Sequence, residues 1–157
     1  MADNVTADSL RKAIKRGDVP PVILLHGEEG FYTDLIAREV ETLVAPEDRD
    51  FDLTLLYATD TEPAAVIEAA RRYPMMSSRQ VVIVRELQEG CKPRFTTTAY
   101  LNALAPYVRN PSDSTVLCLC CRGAQAKGAE FTKALKEGNG VVLDLSLIHI
   151  SEPTRRS

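Results

Sequence analysis

No apolar run in this chain approaches the ~20 residues that span a bilayer, and residues 1–5 carry no basic stretch with an apolar segment behind it. The cytoplasm is therefore the default location expected. There is no excess of positive charge either: 19 Lys+Arg stand against 22 Asp+Glu, a formal net charge of −3. A mildly acidic domain is poorly suited to holding DNA phosphates by itself. Histidine is nearly missing, with only His26 and His149. His26 closes an apolar run and reads as structural, so imidazole-based catalysis has almost nothing to work with.

Cysteine is sparse as well, although three of the four, Cys118, Cys120 and Cys121, are crowded into one strand-like segment. Strand alternation sends Cys118 and Cys120 to one face and Cys121 to the other, while Cys91 lies in a loop far along the chain. Four converging zinc ligands cannot be assembled that way, and the thiols read as small hydrophobes. No cofactor or metal is expected.

What is present is an ordinary globular composition. With 157 residues, 45% apolar and 26% charged, the chain is long enough to bury one sizeable core. The end is different in kind. Residues 145–157, beginning Leu-Ser-Leu-Ile-His-Ile-Ser-Glu-Pro-Thr-Arg, resemble an in-frame translation of a sequencing adapter and are set apart as a non-native tail. The natural reading frame is expected to break near Asp144, leaving 1–144 as one domain with residues 1–19 as a leading helical segment. Without the tail, Lys+Arg falls from 19 to 17 and Asp+Glu from 22 to 21, so the net charge moves from −3 to −4.

Along the chain, helical and strand patterns alternate. The periodicity predicts a short helix over 7–16 behind a Thr6 cap, a strand over 22–26, and a helix over 31–44 with Phe31, Leu35, Ile36, Val40, Leu43 and Val44 on one face. A strand over 52–57 follows a polar loop at 46–50. Asp60 or Thr61 is placed as the cap of a helix carrying Pro63 in its first turn and ending at Tyr73-Pro74. Residues 81–84 form a strand without polar alternation, which implies cover on both faces. A helix over 96–108 is disturbed by Pro106. A strand over 115–120, a helix over 128–136 closed by Gly138, and a strand over 141–143 complete the chain. Repeated strand–helix–strand crossovers predict an α/β three-layer sandwich with a mostly parallel sheet. There is neither an internal repeat nor a low-complexity tract.

The turn after the first strand, Gly27-Glu28-Glu29-Gly30-Phe31-Tyr32-Thr33, stands where a phosphate loop would. It lacks the lysine for β/γ-phosphates and the hydroxyl for magnesium, and two carboxylates occupy the anion's approach. Nucleotide binding is disfavoured. A dinucleotide fold, with Asp60 or Glu62 as the ribose contact, is the remaining enzyme alternative, but the Gly-x-Gly-x-x-Gly spacing is missing.

The most informative segment is Arg71-Arg72-Tyr73-Pro74-Met75-Met76-Ser77-Ser78-Arg79-Gln80, leading into Val81-Val82-Ile83-Val84. Two large flexible apolar side chains on a helix-to-strand turn are either core filler or a knob for a partner's pocket. This segment, with Leu24-Leu25-His26-Gly27-Glu28-Glu29-Gly30-Phe31 before it, resembles the N-terminal domain of the delta subunit of bacterial DNA polymerase III, part of the sliding-clamp loader. The resemblance covers residues 20–144. In that family an apolar pair just before a Ser-Arg-Gln signature is the wedge that opens the clamp. Residue by residue the pair falls on Met75 and Met76, flanked by Tyr73, Arg72 and Arg79, with Met-Met where many relatives have Leu-Phe. The resemblance implies a degenerate P-loop, AAA+-like fold that does not use ATP at this site. It also implies a non-catalytic part of the polymerase holoenzyme, with the sliding clamp (beta subunit) as partner. Other clamp-loader subunits would be met through C-terminal parts not present here, and DNA only within the complex. Arg71, Arg72 and Arg79 would steer toward an acidic clamp surface.

Overall fold

The runs of apolar residues without polar alternation become the middle of a sheet. β1 (Val22–Gly27) is buried throughout, and β3 (Gln80–Arg85) and β4 (Thr115–Arg122) are buried up to their last residues. Partly exposed β2 (Leu53–Tyr57) and alternating β5 (Val141–Asp144) form the two edges. A computed structural model describes residues 7–27, 30–91, 94–123 and 128–145. Within them the strand order is β2-β3-β4-β1-β5, and every neighbouring pair is parallel.

Parallel neighbours require crossovers long enough to carry a helix, and the helices cover both faces. On one face α1 (Ala7–Arg16) and α2 (Gly30–Glu41) bury Leu10, Ile14, Ile36 and Val40 against Ile23, Leu25, Val81 and Ile83. A single helical turn, α3 (Arg49–Asp52), leads into β2. The opposite face is covered by α4 (Pro63–Arg71), α5 (Thr97–Ala103), α6 (Ala105–Arg109) and α7 (Ala129–Glu137). Val66, Tyr100, Tyr107 and Phe131 there pack with Leu24, Val82, Val84 and Leu119. This is the α/β three-layer sandwich of the sequence reading, with its sheet wholly parallel.

Strand alternation also sorts the thiols. Cys118 and Cys120 lie in the α1/α2 core, whereas Cys121 and Cys91 lie in the other. Burial, with a smaller contribution from Cys120, pushes the Cys121 thiol up to about 11.

Several local expectations are corrected. Phe31 does not join the buried stripe of α2 but is exposed, edge-on to Tyr32, because five residues before Ile36 the helix has turned well away from the core. Residues 96–108 split at Leu104 into α5 and α6, since Pro106 has no N–H to continue the ladder. Glu62, not Asp60 or Thr61, is the first flanking residue of α4, with no side-chain cap bond. The α4 helix stops at Arg71 rather than Tyr73, and Asp52 ends a helical turn instead of opening a strand. Gly138 does close α7: a Cβ there would lie 1.9 Å from the Val108 carbonyl oxygen. Thr6 lies outside the described residues.

Leu145, counted with the tail in the sequence reading, is fully buried in the α1/α2 core with Val141 and Leu143. Whatever its origin, an apolar residue at this point finds a place under the sheet. Truncation after Leu145 is expected to leave the unfolding midpoint unchanged, while truncation after Asp144 costs about 2 kcal/mol, roughly 4–8 °C. Paired thermal melts of the two truncations read this difference. Residues 146–157 lie outside the described residues.

Candidate partner-binding site

Between α4 and β3, ahead of the N-terminal end of β3, the chain makes a turn that carries the methionine pair. Tyr73, Met75 and Met76 are 82%, 71% and 59% exposed, and none belongs to either core. Large apolar groups are held in water because the backbone beneath them is fastened at three points.

The first fastening is Asp52, only 1% exposed. Its carboxylate accepts the Met75 N–H at 2.6 Å, the Met76 N–H at 2.7 Å and the Ser77 N–H at 2.5 Å. Burial acts to raise the Asp52 pKa, but the three backbone donors together with the Ser77 hydroxyl outweigh it and hold the carboxyl below its ordinary 3.8. The stabilisation that this ionised carboxylate contributes is therefore complete above the unfolded-state value and is lost as pH falls through the lower folded one. The Ser77 hydroxyl donates to Asp48 at 3.0 Å.

The second is Arg79, whose guanidinium donates to the Gly17 carbonyl at 2.7 Å, tying the turn to the end of α1. The third is Gln80. Its buried amide nitrogen lies 3.1 Å from the Ala69 carbonyl, 2.6 Å from that of Arg72 and 3.0 Å from the Thr115 hydroxyl. Thr115 in turn donates to the Ala70 carbonyl at 2.8 Å. Carbonyls at a helix C-terminus have no intrahelical donors. Gln80 and Thr115 supply them, so α4 ends at a fixed place and the turn leaves it in a fixed direction. Arg71 lies with its guanidinium 5.0 Å from the Tyr107 ring centre, and Arg72 is exposed, its guanidinium without a hydrogen bond or ion pair to a described residue.

The structure thus brings Met75, Met76, Tyr73 and Arg72 together as an exposed group, while Arg79 serves the scaffold through its bond to α1. Sequence reasoning missed Asp52 entirely. An aspartate just before a strand gives no sign that its carboxylate will meet three amides from residues 75–77.

The opposite ends of the strands hold the other candidate site. Glu28 and Glu29 lie outside the described residues. The side chain of Asp34, in the first turns of α2, forms an ion pair with Arg85 from the end of β3. These two, with Thr33, Cys120 and Arg122, line a cavity of about 20 Å³, the size of one water. Thr33 is buried, and its hydroxyl has no hydrogen-bond partner among the described residues. His26, at the end of β1, is 2% exposed, with Nδ1 3.7 Å from an Asp144 carboxylate oxygen. Burial lowers the imidazole pKa despite that neighbour. Glu62, one of the two ribose contacts (Asp60 or Glu62) of the dinucleotide alternative, is paired with Arg94 at 2.8 Å.

A sequence profile described as "DNA polymerase III, delta subunit" matches residues 24–146. The chain belongs to the DNA polymerase III delta subunit family. Over 130 residues, 80% of this chain and 38% of the relative, it is 29% identical to DNA polymerase III subunit delta of Bacillus subtilis (strain 168). The solved structure of the Bacillus subtilis DNA clamp loader delta protein superposes with a TM-score of 0.74 at 25% identity, covering 88% of this chain and 42% of that one. A DNA polymerase III gamma subunit-related protein of Thermotoga maritima shares the fold, with a TM-score of 0.53 at 17% identity, over 88% of this chain and 45% of that one. The delta-family fold is AAA+-like, as the resemblance implied. This delta-family chain spans about two fifths of the length of the relatives it matches.

Proposed function

We propose that this delta-family domain is a non-catalytic part of a clamp loader that binds a sliding clamp through an apolar wedge, Met75 and Met76. The observation that carries the reading is the display of these side chains, 71% and 59% exposed, on a turn held by Asp52, Arg79 and Gln80. Burying two methionines in a partner's pocket removes a large apolar area from water, and preorganisation of the turn reduces the entropy cost of docking. A ligand shifts an equilibrium only by its differential affinity. The wedge must therefore bind the opened clamp interface more tightly than the closed one. Tyr73 and Arg72 flank it, Arg72 as a free cation suited to steering toward an acidic surface. The relatives are more than twice as long as this chain, and assembly with other clamp-loader subunits is assigned to their remaining parts. DNA is met only within the assembled complex.

The test is binding of the chain to an immobilised bacterial sliding clamp, with a fluorophore pair across a clamp subunit interface to report opening. Saturable binding with separation of the pair is expected. No binding, or equal binding by a chain with both methionines replaced by alanine, would overturn the assignment.

ATP binding and hydrolysis are not expected of this domain. Gly27-Glu28-Glu29-Gly30 supplies neither the lysine nor the magnesium hydroxyl that a phosphate loop needs. Calorimetry with Mg-ATP should show no saturable heat. Micromolar binding that disappears on charge reversal within residues 27–30 would show an active nucleotide site and favour the enzyme alternative.

A further inference from the structure

We infer that Asp52 is the positioning residue of the wedge: its carboxylate gathers three consecutive backbone N–H groups and thereby fixes the direction in which Met75 and Met76 project. The inference rests on the clamp reading above and names the group on which that site depends.

The two ends of the turn are held by other means. Pro74 restricts its start, while Arg79 and Gln80 fasten its exit to α1 and to the end of α4. The middle, residues 75–77, has Asp52 as the carboxylate that receives all three amides. Convergent consecutive N–H groups form a concave anion site of the kind called a nest, and here the anion is built into the fold. Its place is set by the sheet. Leu53, the next residue, pairs in register with Val81, so the carboxylate arrives beside the chain just ahead of β3. The exposed methionines cannot order themselves, because they have no core to pack into.

Without the carboxylate the three amides turn to water, and the turn samples other conformers. The apparent affinity of a partner falls in proportion to the fraction of chains that retain the binding conformation. If that fraction drops to about a tenth, clamp binding weakens about tenfold although neither methionine has been touched. Asparagine does not replace aspartate. It has one acceptor oxygen, and its NH2 group would face an N–H donor.

The test combines three measurements on Asp52→Asn. Amide exchange in the free chain should show residues 75–77 protected in the parent and open in the variant, with β3 protection retained. Clamp affinity should fall about tenfold, the population effect described above. In a chain already carrying Met75→Ala and Met76→Ala, the same change should cost nothing further, because a residue acting through the methionines has no effect once they are gone. An equal loss in both backgrounds, or unchanged affinity and protection, overturns the role. Should Asp52→Asn fail to fold, a backbone ester in place of the Ser77 amide removes one donor and leaves every side chain intact. It should weaken clamp binding, and unchanged binding again overturns the role. A parent chain that does not bind the clamp overturns the clamp reading and this one with it. A parent that binds, with an Asp52→Asn variant that binds equally well, overturns the Asp52 role alone.

Discussion

Replacing either Met75 or Met76 by alanine is expected to weaken binding to a sliding clamp about thirtyfold while moving the unfolding midpoint by no more than a few degrees. The magnitude follows from interface anchors, whose truncation costs ~2 kcal/mol or more when they fill a desolvated pocket. The lack of a stability effect follows from exposure. At 71% and 59%, these side chains have little buried area to lose in the free protein. Core methionines would behave oppositely, since truncation would leave a cavity worth 2–5 kcal/mol and the chain would melt early. Binding isotherms and thermal melts on the same two variants separate the outcomes. If both variants melt much earlier yet bind the clamp as tightly as the parent once folded, the wedge mechanism is wrong.

Gln80→Met should behave in the reverse way. The substitution keeps the volume of a residue that is 3% exposed but removes the amide donor facing the Ala69 and Arg72 carbonyls and the Thr115 hydroxyl. Buried acceptors left without donors cost ~1–3 kcal/mol each. A loss of about 3 kcal/mol, or roughly 6–12 °C in the midpoint, is expected from thermal or denaturant unfolding. Clamp binding should fall too, because the end of α4 sets where the turn begins. A stable Gln80→Met variant would show that Thr115 alone suffices to terminate α4.

The Tyr73–Gln80 stretch divides by role. In the sequence, Met75-Met76 and Ser77-Ser78-Arg79-Gln80 read as one recognition segment with Arg79 as a steering charge. In the structure the methionines face water, while Ser77, Arg79 and Gln80 face inward and bond to Asp48, Gly17 and the last carbonyls near the end of α4.

The sequence by itself determined the layer architecture, because period and composition are local properties. Continuous apolar runs at 22–25 and 81–84 can be buried only between two layers, and the helical stripe through Leu10 and Ile14 must face a sheet. The methionine turn was legible for the same reason, since Pro74 disfavours helical geometry at Tyr73. Strand order, the Arg85–Asp34 ion pair and the Asp52 clamp were decided only in three dimensions. Asp34 and Arg85 are 51 positions apart in the chain, and Asp52 and Met75 are 23 apart. No local pattern records such pairs: a carboxylate's partner is whatever donor the packed sheet and helices bring within ~3 Å of it.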